Sequence, residues 1–220
     1  YSVTQDEDTY GQLLHGIRYL DIRPAYYKNS KHLFWVNHGP IKFRPLEEVL
    51  KNVSKFVHET NEIVCIDFHH FPKGFDDKKG NNDIHKKLVQ YVKDSIGDDV
   101  IDISAAWHST MNMIWSQSKR IILAYNKWDI SQEFHPFTWM GVRQRWAQTD
   151  KKDALKDYLH RVNGEQHPEY ERPFADMVQL TPTTSGVIFD RYKGLRRLAD
   201  DINKDVSMWY MQDIGRNANI

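Results

Sequence analysis

The chain has 220 residues, of which 40% are hydrophobic and 27% charged, a composition typical of one globular domain of ordinary size. Thirty basic residues balance thirty acidic ones, so the sequence lacks the basic field that holds a nucleic-acid backbone, and we expect no nucleic-acid partner. The single cysteine, Cys65, excludes a disulfide framework and a thiolate metal cluster. No apolar run approaches the roughly 18 residues of a membrane-spanning helix.

Three strands are predicted in the first half of the chain, over residues 16–23, 32–38 and 63–69, because these runs are rich in β-branched and aromatic residues. The first strand is expected to stop at the proline that follows it. Apolar residues at helical spacing predict a helix that begins at Pro45 and another over 82–95.

The second half repeats this alternation. Strands are predicted over Arg120–Tyr125 and Met177–Leu180, and helices over 150–162 and 195–202. Strands separated by helices indicate parallel crossovers, and hence an α/β fold. Because the sequence has no repeat and no linker rich in Gly, Pro or Ser, we expect a single domain over residues 1–220.

An aromatic loop follows the strand that ends at Tyr125. Its members are Trp128, Phe134, Phe137, Trp139 and Met140. Two interpretations stay open: a rim that dips into a lipid surface, where such rings favour the headgroup region, or a cluster packed over helices. The second is favoured, because two arginines follow soon after.

Polar side chains collect where the predicted strands end: Asp21 and Arg23, His38, Asp67 and His69, and Tyr125. No glycine-rich phosphate-binding motif follows any strand, whereas a closed (β/α) barrel carries its chemistry at these strand ends. Side chains two residues apart share one face of a strand. Asp21 is therefore expected to point the same way as Arg23, and Asp67 the same way as His69. A structural ion pair is the alternative interpretation of Asp21 and Arg23.

An imidazole next to a carboxylate suits proton transfer, and a guanidinium suits a phosphate. His69, His70 and His85 could instead suggest a metal site, but their spacing fits no zinc motif and we predict no metal and no cofactor.

The stretch 8–23 (DTYGQLLHGIRYLDIR), followed by His38-Gly39, resembles the opening of the X domain of phosphatidylinositol-specific phospholipases C, especially the PI-PLC X domain-containing proteins and the bacterial enzymes. The resemblance continues through 62–71 (EIVCIDFHHF), 119–125 and 180–182, and into the tail. It implies a distorted TIM-type barrel, an inositol phospholipid substrate and transient contact with a membrane surface.

The resemblance also implies roles for single residues. His38 matches the general acid, Arg23 the phosphate-binding arginine and Asp21 the carboxylate on the same strand. Asp67, His69 and Tyr125 are assigned to substrate binding. Because Arg23 stands where a second acidic ligand of Ca2+ would be, the implied cleavage, which forms a cyclic inositol phosphate, is expected to need no metal.

The general-base histidine of the family has no match in the sequence, since its short His-Asp or His-Asn segment lies upstream of the matched block. We therefore expect the chain to be a fragment, with the barrel incomplete at both ends. Two alternatives stay open: a catalytically inactive X-domain protein that binds inositol lipid or a protein partner, and a metal-dependent barrel phosphodiesterase. A glycosylation sequon at 52–54 favours an extracellular over a cytoplasmic location.

Overall fold

The computed structural model describes residues 7–75, 82–164, 172–189 and 191–214. They form two compact units: Glu7–Val142 make up the first, and the described residues from Arg143 onward make up the second. The single domain predicted over residues 1–220 stays a prediction. Within the described part of the chain, no helix combines the length and the apolar character needed to cross a membrane.

The first unit contains strands and helices in alternation. Its strands are β1 (Tyr19–Ile22), β2 (Pro24–Tyr26), β3 (Phe34–His38), β4 (Ile41–Pro45), β5 (Val64–Phe68), β6 (Ile121–Tyr125) and β7 (Trp139–Met140). Its α-helices are α1 (Thr9–Leu14), α2 (Leu46–Thr60), α3 (Asp83–Ile96), α4 (Met111–Trp115) and α5 (Trp128–Glu133).

A four-stranded parallel sheet lies at the centre of this unit, in the order β1-β5-β6-β7. Strand β6 is buried along its whole length, as expected for a parallel strand covered on both faces. The predicted α/β fold with parallel strands is confirmed. The described strands of the chain form three separate sheets, and none of these closes into a barrel.

Beside the parallel sheet, β2, β3 and β4 form an antiparallel sheet. The first strand ends at Ile22, before Pro24 as predicted, and Pro24 begins the unpredicted strand β2. A proline, which cannot donate to a ladder, is tolerated as the first residue of an edge strand. Strand β4 was not predicted: its first three residues are exposed, so it lacks the alternation of apolar and polar residues that indicates a half-buried strand.

The main core packs α2 and α3 against the parallel sheet. Helix α2 begins one residue after its predicted start, and α3 lies within one residue of both its predicted limits. Helix α2 carries Glu47 and Glu48 in its first turn, where carboxylates favour the positive end of the helix dipole. Its apolar face includes Leu50 and Val53, which are fully buried and each contribute about 1.5–3 kcal/mol by leaving water.

The aromatic loop is mostly buried. Trp139 lies on β7 with 1% of its surface exposed, and Phe134 and Phe137 pack against the main core. Only Trp128, the first residue of α5, is strongly exposed among these tryptophans and phenylalanines. The packed cluster is therefore the better description, and Trp139 is withdrawn as a candidate for lipid contact.

The second unit contains two parallel strands, β8 (Arg143–Trp146) and β9 (Phe174–Met177), with Arg145 directly opposite Asp176. Its helices are α6 (Lys152–Gly164), α7 (Thr184–Ile188) and α8 (Leu195–Trp209), followed by a π-helical turn over Tyr210–Ile214. The two predicted helices are confirmed, and α8 extends well beyond its predicted end. The strand predicted over Met177–Leu180 is wrong by three residues.

Candidate active site

Strands β1, β5 and β6 are parallel, and their carboxyl ends lie together at one end of the sheet. Asp21 of β1 lies directly opposite Asp67 of β5. Beyond the strands the ladder continues, because His69 N donates to Ile22 O (3.3 Å) and Asn126 N donates to Phe68 O (3.0 Å). Residues opposite each other in a parallel pair share a face, so Asp21 and Asp67 form one row and Arg23, His69 and Asn126 form the next.

Asp21 and Arg23 form an ion pair on this face. Arg23 Nη2 donates to Asp21 Oδ2 at 3.0 Å, and both side chains are partly exposed. The carboxylate thus fixes the orientation of the guanidinium, which has five donors in a planar fork and suits a phosphate. The predicted pairing is confirmed, while the roles of both residues stay predictions.

A hydrogen-bonded chain runs through Asp67 on the neighbouring strand. Tyr19 Oη donates to Asp67 Oδ2 at 2.8 Å, and His69 Nδ1 lies 3.1 Å from the same oxygen. Asp67 is fully buried, and its Oδ1 has no hydrogen-bond partner among the described residues. A buried carboxylate of this kind favours a donor on the imidazole, which sets the tautomer with the proton on Nδ1.

Asn126 holds the other side of His69. Its Nδ2 donates to His69 O at 3.1 Å and lies 3.4 Å from His69 Nε2. Gly141 packs against the Asn126 backbone so closely that a Cβ at position 141 would lie 2.7 Å from Asn126 Cα. Sequence reasoning missed Asn126; its position directly after the strand that ends at Tyr125 was the available signal.

His38 is the last residue of β3 and lies at the turn that leads into β4. The face of β3 that carries it runs from buried Phe34 through half-buried Val36 to exposed His38. The backbone of the preceding residue, Asn37, donates to Arg23 O at 3.0 Å. The antiparallel pairing of β2 with β3 thus brings the backbone of Arg23 close to that of Asn37, which directly precedes His38.

Tyr125 lies in the core. Its side chain is fully buried, its hydroxyl lies 2.7 Å from His85 Nδ1, and its ring stacks on Phe71 with centroids 5.1 Å apart. These are the surroundings of a packing residue, so substrate contact at Tyr125 stays a prediction that its described neighbours do not support.

A cysteine, Cys65, lies two residues before Asp67 on β5. Burial, and then the charge of Asp67, raises the pKa of Cys65 well above its usual range, which keeps the thiol protonated. Among the described residues, no group of three His, Cys, Asp or Glu side chains is arranged to hold a metal ion.

Comparison with known sequences identifies relatives, although no family model matches the chain. PI-PLC X domain-containing protein 3 of Homo sapiens is 28% identical over 197 residues, which cover 88% of this chain and 58% of that protein. PI-PLC X domain-containing protein 1 of Homo sapiens is 30% identical over 72% of this chain and 47% of that protein. The variant-surface-glycoprotein phospholipase C of Trypanosoma brucei brucei is 26% identical over 69% of this chain and 41% of that protein.

Among solved structures, the phosphatidylinositol-specific phospholipase C of Staphylococcus aureus superposes on 96% of this chain and 74% of that chain, with a TM-score of 0.70 and 13% identity. At this identity the match shows the fold alone. The chain spans a little over half the length of the first of the curated relatives. By sequence, the chain is similar to PI-PLC X domain-containing proteins, and by fold it is similar to a bacterial phosphatidylinositol-specific phospholipase C.

Proposed function

We propose that the protein containing this chain cleaves phosphatidylinositol between the glycerol oxygen and phosphorus, with Arg23 binding the phosphate and His38 acting as general acid. The observation that carries this proposal is the arrangement around Arg23. Asp21 orients its guanidinium, and its carbonyl accepts a hydrogen bond from the backbone N–H of Asn37, the residue before His38. The relationship to phospholipases C supports the same reaction class.

In the proposed reaction, a general base takes the proton of the inositol 2-hydroxyl, whose oxygen attacks phosphorus. The bond from phosphorus to the diacylglycerol oxygen breaks, His38 donates a proton to that oxygen, and a cyclic inositol phosphate is released. Arg23 compensates the charge that grows on the phosphoryl oxygens. Holding the attacking and leaving oxygens in line is the remaining requirement.

The test is release of soluble inositol phosphate from labelled phosphatidylinositol, with and without EDTA. We expect release that EDTA does not reduce. Loss of activity with EDTA would favour the metal-dependent alternative. Vesicle binding with no release would favour an inactive, lipid-binding protein.

Replacing Arg23 with lysine tests the proposed phosphate contact. The lysine keeps the charge but loses the planar fork, and a hydrogen bond to a charged group contributes about 1.5–3 kcal/mol, so we expect activity to fall about 10- to 100-fold. Lys42→Arg is a matched control, since Lys42 already stacks on Trp35, with Nζ 3.5 Å from the ring centroid. Full activity in Arg23→Lys would contradict the assignment.

Trp128 is the remaining candidate in the aromatic loop for contact with a lipid surface. It follows β6 at the sheet edge that carries the candidate site and is 65% exposed, whereas Trp115 precedes β6 and is 55% exposed. We expect Trp128→Ala to weaken binding to phosphatidylinositol-containing vesicles about fivefold, through partial loss of apolar burial. Trp115→Ala is the control, and equal weakening by both changes would rule out a specific role for Trp128.

A further inference from the structure

We propose that a basic patch on the antiparallel sheet binds the negatively charged surface of a phospholipid membrane. The patch is formed by Lys28, Lys31 and Lys73, which are all exposed. The choice of a lipid surface rests on the proposed function, because an enzyme that cleaves phosphatidylinositol works at such a surface. The binding itself needs no cleavage, so the two proposals can be tested separately.

Charge is distributed unevenly around this patch. The chain has no net charge, yet residues 24–46 contain three lysines and one arginine and no Asp or Glu. Elsewhere in the first unit, Lys86 and Lys119 each pair with a carboxylate, at 2.6 and 3.0 Å. Among the described residues, none of the three lysines of the basic patch has a carboxylate partner. The patch therefore carries a positive charge that is available to an anionic surface.

The loop over residues 27–33, which carries two of these lysines, is held in place by hydrogen bonds. Tyr27 N donates to Leu33 O at 2.8 Å and closes the base of the loop. The indole N–H of Trp35 donates to His32 O inside the loop, also at 2.8 Å. Lys28 and Lys31 are thus presented from a loop whose backbone is fixed at both of its ends and near its middle.

Lys73 comes from a different part of the chain, after β5, and the backbone brings it alongside this loop. Its carbonyl accepts a hydrogen bond from Tyr26 N at 2.9 Å, and it forms a parallel bridge with Ala25 of β2. Gly74, with a φ of +84°, allows this approach, because a Cβ there would lie 2.5 Å from Tyr26 O. The Lys73 ammonium then lies over the ring of Tyr27, 4.6 Å from its centroid. The third lysine therefore joins the other two on one surface.

The basic patch is connected to the strand that carries the proposed general acid. Tyr27 Oη accepts a hydrogen bond from Asn37 Nδ2 at 2.8 Å, and Asn37 directly precedes His38 on β3. Leu33, which is 44% exposed, adds an apolar side chain that can enter the headgroup region. Cations next to an exposed apolar side chain favour an anionic lipid surface as the partner, and binding there would hold β3 at that surface.

The experiment measures binding to vesicles that contain no phosphatidylinositol, so that the proposed substrate takes no part. We expect tighter binding to phosphatidylcholine vesicles that contain phosphatidylserine than to phosphatidylcholine alone, and loss of this preference as salt is raised. Each lysine near an anionic surface contributes about fivefold in affinity, so Lys31→Gln/Lys73→Gln should weaken binding about 10- to 30-fold. Lys28→Gln/Lys31→Gln leaves the contact between Lys73 and Tyr27 in place and should weaken binding by a similar factor.

Lys87→Gln/Lys93→Gln is the matched control, because it removes the same charge from exposed positions of α3. It is expected to keep the wild-type affinity, and equal weakening by this variant would overturn the basic patch. Release of inositol phosphate from phosphatidylinositol, without any preference for phosphatidylserine, would overturn the patch alone. Preference for phosphatidylserine without release would overturn the proposed function and support the patch.

Discussion

Replacing His38 with alanine is expected to lower kcat for phosphatidylinositol about 10²- to 10⁴-fold, the range that a general acid contributes. The reason is that the glycerol oxygen is a poor leaving group unless it receives a proton as its bond to phosphorus breaks. The variant is expected to fold normally, because His38 is exposed at the end of β3 and, among the residues that the structure describes, its ring makes only a distant contact with the Phe43 ring, with centroids 6.5 Å apart.

The nature of the leaving group gives this prediction its sharpest measurement. An inositol phosphate diester with a nitrophenolate leaving group needs no proton, so His38→Ala should cleave it at close to the wild-type rate. His160→Ala, at an exposed position of α6, is the control for the loss of a surface imidazole. An equal loss on both substrates would show that His38 acts in some way other than proton donation.

Replacing Asp176 with asparagine is expected to lower the free energy of unfolding by about 1.5–3 kcal/mol, because it weakens the hydrogen bonds that Arg145, Tyr210 and Asn163 donate to a charged and largely covered carboxylate. Arg145 Nε donates to Asp176 Oδ1 at 2.5 Å, and the two side chains are only 13% and 10% exposed. Tyr210 Oη and Asn163 Nδ2 donate to the other carboxylate oxygen at 2.6 and 2.9 Å. Urea unfolding followed by fluorescence measures the change.

The pH dependence of this effect has a defined sign. Burial by itself raises the pKa of Asp176, but the hydrogen bonds from Arg145, Tyr210 and Asn163 outweigh it and hold the pKa below its usual range. The carboxylate therefore stabilises the fold above its unfolded pKa of about 4, and this contribution is lost as the pH falls through the lower folded value. The difference between wild type and Asp176→Asn should shrink over that interval.

Asp201→Asn is the matched control, since Asp201 pairs with Arg197 one helical turn away at an exposed position of α8. Exposed pairs of this type contribute about 0.3–0.5 kcal/mol. If both variants lose the same small amount of stability, the network around Asp176 has little energetic importance.

The sequence predicts helices and strands best where the local pattern of apolar and polar residues alone determines them. Strands β5 and β6 are short apolar runs, and the apolar residues of α2 and α3 have clear helical spacing. Strand β8 contains Arg143, Gln144 and Arg145, and no local pattern indicates that it is a strand. It is stabilised by its partner β9, where Asp176 neutralises Arg145, and that pairing depends on residues about 30 positions apart.

The same limit applies to the candidate site. Alternation along one strand places Asp21 with Arg23, and Asp67 with His69, and both pairs are present. The neighbours contributed by other strands, Tyr19 to Asp67 and Asn126 to His69, depend on the register between strands. Register is a tertiary property, so these contacts follow from the sheet and not from any local run of residues.

Gly141, which directly follows the edge strand β7, also influences the surroundings of His69. Any side chain at that position would displace the Asn126 backbone, and Asn126 in turn restrains the ring of His69. Strand β7 supplies none of the proposed catalytic groups. Because Gly141 has no side chain, the backbone directly after β7 can pack against Asn126. A substitution at position 141 is therefore expected to alter the surroundings of His69, which lies two strands away.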